Sequence, residues 1–482
     1  MEITSHLLAF AGFFLLALLY NQWRVRIGSH KIKGMLAPEP SGALPIIGHL
    51  HKLRGQNPIA RTLGAMADKV GPILMIRLGM KLALVISNHE AFKECFTTND
   101  KTFAARPMSS QGKHLGYNYA LFGFSSYGKY WLKMRKLIKL ELLSSRRLET
   151  LKNICTLCKS NEGNQANVVI SEWVERLTFN IITRMIAGKR YFDSFSHVND
   201  GEAQAAQRIG KNIKAFLYAA GVPIISDLIP FLGCFDLLGQ VKSMKRIARE
   251  LDSVAGSWIE EHSMRRLRGS EPTDKLDFID VMLSEIEDDA YGHKRETIIK
   301  ATAMLDLKVG RDRWVDEKDI KDLVYLQAIV KETLHLYPPS PLSVPHEAME
   351  DCHVNGYYVP KGTRLLVNVW KLHRDPRIWE DPKKFLPERF LTSHASIDTS
   401  GQHFEYIPFG SGRRACPGYT FALQVSYLAL AHLLQGFEFT TPSNMLVDRT
   451  EGLGITLPKA TPLEALLTPH LASRLYQSQT KI

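Results

Sequence analysis

The sequence predicts a mainly α-helical fold with a minor β-sheet. Long stretches at 126–143, 171–188, 241–267, 318–336 and 417–435 place apolar residues at helical spacing. Short apolar alternations at Ile73–Leu78, Leu82–Ile86 and Arg364–Val369 read as strands, the last after a Lys361-Gly362 turn. No G-x-G-x-x-G follows a strand, so a dinucleotide-binding fold within the chain is not expected. H-E-x-x-H and G-x-S-x-G are also absent, and His346-Glu347 lacks a second His four residues on.

Composition narrows the function classes. The chain has 482 residues, 45% of them apolar and 23% charged, which suits a globular protein with a sizeable core. Its formal charge of +12 is spread through mixed clusters, such as Arg265, Arg266 and Arg268, without interleaved aromatics. A membrane surface or an acidic protein partner fits that pattern better than nucleic acid. Six scattered cysteines do not make a disulfide framework, and Cys155-x-x-Cys158 has no second pair at zinc-ligand spacing.

From Ile3 to Trp23 the chain carries no Lys, Arg, Asp or Glu. A helix over that span is roughly 31 Å long, at about 1.5 Å per residue, enough to cross a bilayer. Glu2 at the start and bulky Tyr20 and Trp23 at the end argue for a retained anchor over a cleaved signal peptide. Arg24, Arg26, Lys31 and Lys33 follow the span, so the body is expected on the cytosolic side. Residues 1–23 are thus a transmembrane anchor, and 24–50 a basic hinge stiffened by Pro38, Pro40 and Pro45.

The chemistry is expected at Phe409-Gly410-Ser411-Gly412-Arg413-Arg414-Ala415-Cys416-Pro417-Gly418, ahead of the apolar run Tyr419 to Phe437. A thiolate at Cys416 is stabilised by iron and by backbone N–H groups at the start of the next helix. Gly412 and Gly418 allow tight turns and close approach of backbone to a flat macrocycle. Phe409 can shield the sulfur, and Arg414 offers a guanidinium to a carboxylate.

With this loop the chain resembles the cytochrome P450 superfamily, whose signature is Phe-x-x-Gly-x-Arg-x-Cys-x-Gly. The resemblance extends to the anchor, the proline-rich hinge, Trp131-x-x-x-Arg135, Lys331-Glu332-Thr333-Leu334 and Pro387-Glu388-Arg389-Phe390. Arg184-Met185-Ile186-Ala187-Gly188-Lys189-Arg190 looks like the plant type, nearest to family 82, whose members oxidise aromatic, alkaloid and terpenoid plant metabolites. The resemblance implies a haem-thiolate fold over 51–482, with haem b held at its iron by Cys416. It implies a monooxygenase that uses O2 and electrons from NADPH-cytochrome P450 reductase, anchored in the endoplasmic reticulum membrane. It further implies that Trp131 and Arg135, one helical turn apart, face a haem propionate, and that His346 sits at another propionate position. Glu332 and Arg389 match two members of a buried Glu–Arg–Arg cluster that holds the Cys loop.

Two departures stand out. The cluster's third member is His335 in place of Arg, giving at most two donors where Arg gives five. The other is larger. Family members carry a long central helix, with a small-Gly-x-acid-Thr-Thr motif, across the distal haem face. Here the helical start Glu296 to Met304 passes directly into Leu305-Asp306-Leu307-Lys308-Val309-Gly310, and the motif occurs nowhere. A helix crossing such a domain needs on the order of 30 residues. The expected fold is therefore a P450 with an incomplete central (I) helix, deleted near 304–305, and no catalytic distal acid or Thr to name. An active monooxygenase and a truncated, catalytically impaired variant both remain open; a haem protein that rearranges a preformed peroxide has no positive support.

The stretches expected to line a substrate pocket are 109–122, 213–225, Ser340–Val344 and Gly452–Thr456. Their apolar character favours a lipophilic ligand, with Tyr117, Asn118, Tyr119 and Tyr218 as candidate orienting groups.

Overall fold

The computed structural model describes residues 11–12, 15, 34–55, 57–139, 166–187, 200–229, 236, 238–267, 320–321, 323–442, 447–452, 454, 456 and 458–469. The C-x-x-C at 155–158 and the expected deletion at 304–305 lie outside these residues, as does nearly all of the apolar span 3–23. Among the described residues no helix is long and apolar enough to cross a membrane.

Helices dominate. The longer ones are α1 (Ile59–Val70), α2 (His89–Phe96), α3 (Lys129–Leu137), α4 (Ile170–Ala187), α5 (Asp200–Gly221), α6 (Gln240–Leu267), α7 (Val324–Leu336) and α8 (Tyr419–Gly436). The stretches expected at 171–188, 241–267 and 417–435 form helices within two residues of the expected ends. In the other two, α3 and α7 start later than expected. Gly128 is fully extended just before α3, and Leu323, at φ −86° and ψ 57°, interrupts the helical backbone before α7.

The main sheet has the order β1-β2-β7-β4, from Ile73–Leu78, Lys81–Ile86, Arg364–Val367 and His346–Glu347. β1 and β2 form a hairpin with Ile73 opposite Ile86, β2 runs parallel to β7, and β4 closes the edge antiparallel. Both faces of this sheet are covered, which is why β1 and β2 read as near-continuous apolar runs. Ile73, Met75, Leu84 and Ile86 pack towards α2, whereas Leu74, Ile76, Ala83 and Val85 pack towards α1. A hairpin of β5 (Cys352–Val354) and β6 (Tyr357–Val359) follows. β3 (Ala166–Val169), β8 (Phe437–Thr440) and β9 (Glu464–Pro469) form a small sheet in the order β3-β9-β8.

A second core joins the helices. Trp131 and Met134 of α3, Trp173 and Leu177 of α4, Trp258 of α6, Val330 of α7, and Phe421 and Leu428 of α8 are buried together. α8 carries no charged residue, as a helix with core on several sides requires.

Below α7 lies a buried polar brace. Glu332 is fully buried; its Oε1 accepts from Leu386 N–H at 2.9 Å and its Oε2 from Arg389 Nε at 3.1 Å. Arg389, 5% exposed, also donates Nη1 to Glu380 O at 2.6 Å. His335 comes within 3.4 Å of Glu332 Oε2 through Nδ1, but neither ring nitrogen has a hydrogen-bond partner. Removing one partner of a buried charge pair leaves the other uncompensated. Glu332→Gln should lower unfolding stability by about 3–5 kcal/mol in denaturant melts. His335→Arg should raise it by about 1–3 kcal/mol, the worth of a charged hydrogen bond regained; no gain in the melt would show that the ring packing against Trp379 outweighs the missing donor.

Candidate haem-thiolate site

Cys416 lies on a loop held at both ends. Its backbone N–H donates to Phe409 O at 2.9 Å, closing the loop on itself, and Ala415 N–H donates to Gly412 O at 3.1 Å. Gly412 has φ +65°, and a Cβ there would collide with the Asp100 carboxylate. That carboxylate accepts Arg413 N–H at 3.0 Å and pairs with Arg413 Nε at 3.1 Å, tying the loop to the chain beyond α2. Glycine is therefore required at 412 for both conformation and space. Gly418 is different: it caps α8 at φ −100°, a backbone open to other residues. Cys416 precedes that cap by two residues, beside the helix N–H groups that have no intrahelical acceptor. Phe409 is half-buried and packs near Tyr419, with ring centroids 6.3 Å apart.

Two of the remaining expected residues, Arg135 and Arg414, converge on Trp131, which is 1% exposed and stacked on Phe122 at 5.3 Å. Arg414 lies over the Trp131 ring at 4.4 Å and Arg135 at 5.2 Å. Arg135 Nη2 donates to Ala415 O at 2.8 Å, which brings α3 directly against the Cys416 loop. Arg414 spends Nε on Ala104 O and Nη2 on Ser125 O, both at 2.7 Å, so much of its fork orders neighbouring loops. His346 is 5% exposed and meets Phe103 O at 2.7 Å through Nδ1. A carbonyl only accepts, so Nδ1 carries the proton and Nε2 is the atom left to face a ligand.

Arg106 joins this group and was not expected from sequence. Its Nη1 donates to Val344 O at 2.8 Å and Pro345 O at 2.9 Å, while its Nε is buried without a partner. The pairing of Ala105 with Glu347, next to His346, brings the two segments together. The sequence signal was slight: an Arg before Pro107, which favours extended backbone at 106.

The electrostatics of this cluster are lopsided. Burial, and after it the neighbouring Arg414, pushes Arg106 down to about 9. Burial and then Arg135 push Arg414 down to about 10, and burial lowers Arg135, which Cys416 opposes. Burial and then Arg106 hold His346 well below its ordinary value. Among the described residues none of the four has a carboxylate partner. Trp131 Nε1, Arg135 Nη1 and Arg106 Nε are all buried and unpaired. Cations and orphaned donors around one indole call for an anion with several acceptor oxygens. The two propionates of a haem whose iron meets Cys416 match that demand, so the residues present fit the group.

Of the stretches expected to line a substrate pocket, Ser340–Val344 lies beside Arg106. In the 109–122 stretch, Tyr117, Asn118 and Tyr119 all take left-handed backbone, at φ +48°, +52° and +68°. Tyr119 OH accepts Ser109 N–H and donates to Ser109 O, and Tyr117 interacts with Asp252. These two hydroxyls hold the loop in place and are not free to orient a ligand. Tyr218 is 53% exposed on α5.

Comparison with known proteins agrees. The cytochrome P450 family model matches residues 38–306 and again 293–463. Vinorine hydroxylase of Rauvolfia serpentina is 52% identical over 495 residues, covering 99% of this chain and 100% of that protein. Nicotine N-demethylase CYP82E3 of Nicotiana tomentosiformis is 44% identical over 513 residues, covering 95% of this chain and 97% of that protein. A zebra fish cytochrome P450 solved with abiraterone superposes with a TM-score of 0.67 at 22% identity, over 86% of this chain and 100% of the other. The family match stops and restarts where its two segments overlap, at 293–306.

Arg106→Leu should weaken hemin binding about 10- to 100-fold, the loss of one charge-assisted hydrogen bond of roughly 1.5–3 kcal/mol, read by optical titration. Cys416→Ser should abolish the thiolate signature in the reduced carbon monoxide spectrum; an unchanged spectrum would remove Cys416 from the iron.

Proposed function

This chain belongs to the cytochrome P450 family, resembling its plant family 82, and on that premise we propose that it is a haem-dependent monooxygenase of lipophilic plant secondary metabolites, impaired by the loss of a distal segment. The cofactor is haem b. The observation that carries the reading is the buried cation cluster around Trp131 beside the Cys416 loop, complementary to an anionic macrocycle with an iron to ligate.

The bound haem would supply activation of dioxygen and transfer of one oxygen atom to substrate, with the thiolate favouring O–O cleavage. This chain's own residues do the rest. Cys416 presents its sulfur from a loop braced by Asp100 and by the Phe409 carbonyl. Trp131, Arg135 and Arg106 would take the propionates through donors that have no partner within the protein. An arriving propionate would raise His346 towards protonation, whereupon Nε2 becomes a donor. Electrons would come from NADPH-cytochrome P450 reductase. Ile3–Trp23, free of charged residues and followed by Arg24 and Arg26, would anchor the chain in the endoplasmic reticulum membrane with its body in the cytosol.

The reading of impairment rests on three concordant observations. Glu296–Met304 runs directly into Leu305–Gly310, the family match breaks at 293–306, and the distal motif occurs nowhere in the sequence. About 30 residues is the length of the missing helix. The distal acid and Thr that the resemblance implies for proton delivery are absent from the sequence, and general acid catalysis of that kind is worth about 10²–10⁴ in rate.

Two measurements test this. Hemin-reconstituted protein should give the reduced carbon monoxide spectrum of thiolate ligation. With reductase it should consume NADPH while forming product about 10²–10⁴ times more slowly than a form with the central segment restored. Equal product rates would overturn the impairment, and a spectrum without thiolate character would overturn the enzyme.

A further inference from the structure

His373 is fully buried, lies outside the signature loop, and belongs to no motif in the sequence. It follows the one-turn helix Val369–Leu372, whose position is set by Asn368. Asn368, also fully buried, donates Nδ2 to Ala60 O at 2.8 Å and backbone N–H to Ile86 O at 2.8 Å. The histidine is thus mounted just past the end of β7 in the main sheet and against α1, a rigid base.

From that base its ring makes two hydrogen bonds in opposite directions. Ile407 N–H donates to Nε2 at 2.9 Å, so Nε2 is unprotonated. Nδ1 lies 3.2 Å from His335 O and donates to it, since a carbonyl only accepts. The His335 carbonyl is in the last turn of α7, where carbonyls have no intrahelical donor. Arg374, the next residue, serves the adjacent Leu336 carbonyl in the same way. Beside this bridge, Tyr406 OH donates to Lys331 O at 2.8 Å and its ring lies 5.4 Å from that of His373. Ile407 is two residues from Phe409, whose carbonyl closes the Cys416 loop.

We propose that His373 is a positioning residue for the haem thiolate, a neutral imidazole of fixed tautomer that straps the entrance of the Cys416 loop to the end of α7. This deepens the haem-thiolate reading and rests on it for the word thiolate, though not for the strap. The role needs both nitrogens in one protonation state. A second proton on the ring would turn Nε2 from acceptor to donor and set two N–H groups against each other. The groups around the ring resist that proton. Burial, the neighbouring His335 and Arg374 all disfavour a cation, and Tyr406 offers only its ring. Glu332 and Arg389 lie beyond His335 and engage each other. Since the folded value lies below that of a free histidine, the strap is intact above about pH 6.5 and is lost as pH falls through the folded value.

The test uses the full chain and three forms: wild type, His373→Leu and His373→Gln. The amide of Gln keeps a donor and an acceptor but does not titrate. Amide hydrogen exchange over Ile407–Cys416, with the β1–β2 hairpin as internal reference, reads the strap with or without haem. His373→Leu should speed exchange there about 10-fold or more relative to the hairpin, and Gln should restore most of the protection. In hemin-loaded protein, Leu should lose thiolate signature that Gln retains, and the acid loss of that signature should move to lower pH in Gln. Leu exchanging like wild type would overturn the proposal, as would Gln behaving like Leu, which would assign the effect to packing alone. Wild type binding hemin without thiolate signature would sink the haem reading separately, leaving the exchange result to decide the strap.

Discussion

Arg135 and Arg414 lie over one buried indole, and Arg106 and His346 adjoin Arg414, without a carboxylate among the described residues to balance them. Burying a charge is costly unless it is paired. The folded chain bears that cost at the one place where the Cys416 loop, α3 and the edge of the main sheet meet. Nearby acids are already engaged: Asp100 with Arg413 and Glu347 with Arg364. On the proposed reading a dianionic planar ligand would resolve the imbalance, and the same ligand would bring the iron to Cys416. Folding of this region and cofactor binding are therefore one energetic problem.

The supports behind the site share a logic. α7 lends its C-terminal carbonyls and the Glu332 carboxylate; the segments after β7 and before Cys416 supply the donors. Arg389, Arg374, Tyr406 and His373 each bond a backbone or side-chain oxygen of α7 or the strand-to-loop connections around it. Against this dense bonding His335 is an exception. It occupies a position where a guanidinium would reach Glu332, and instead buries two nitrogens that bond to nothing. Its ring packs against Trp379 at 4.2 Å, so contact surface replaces the missing hydrogen bonds.

What could be read from the chain beforehand follows from how local each signal is. β1 and β2 were legible because sheet burial on both faces writes continuous apolar runs. The Cys416 loop was legible as a motif because its glycines, arginines and cysteine stand at fixed spacing ahead of an apolar run. Arg106 was not, since its meaning depends on carbonyls 238 and 239 residues away. His373 was hidden for the same reason, bonding residues 38 and 34 positions distant, on either side of it in sequence. α3 and α7 start later than expected because apolar spacing continues across Gly128 and Leu323, where the backbone leaves helical geometry. The His335 departure was visible, but that its ring would reach Glu332 without a hydrogen bond was not.

The most direct test of the account is to titrate the purified chain with hemin and with hemin dimethyl ester, whose propionates carry no charge. The account predicts that hemin binds and raises the melting temperature, and that the ester binds at least about 100-fold more weakly, for the loss of two charge-assisted partners. Equal binding of the two would contradict it, because the cations around Trp131 would then have no anion to answer.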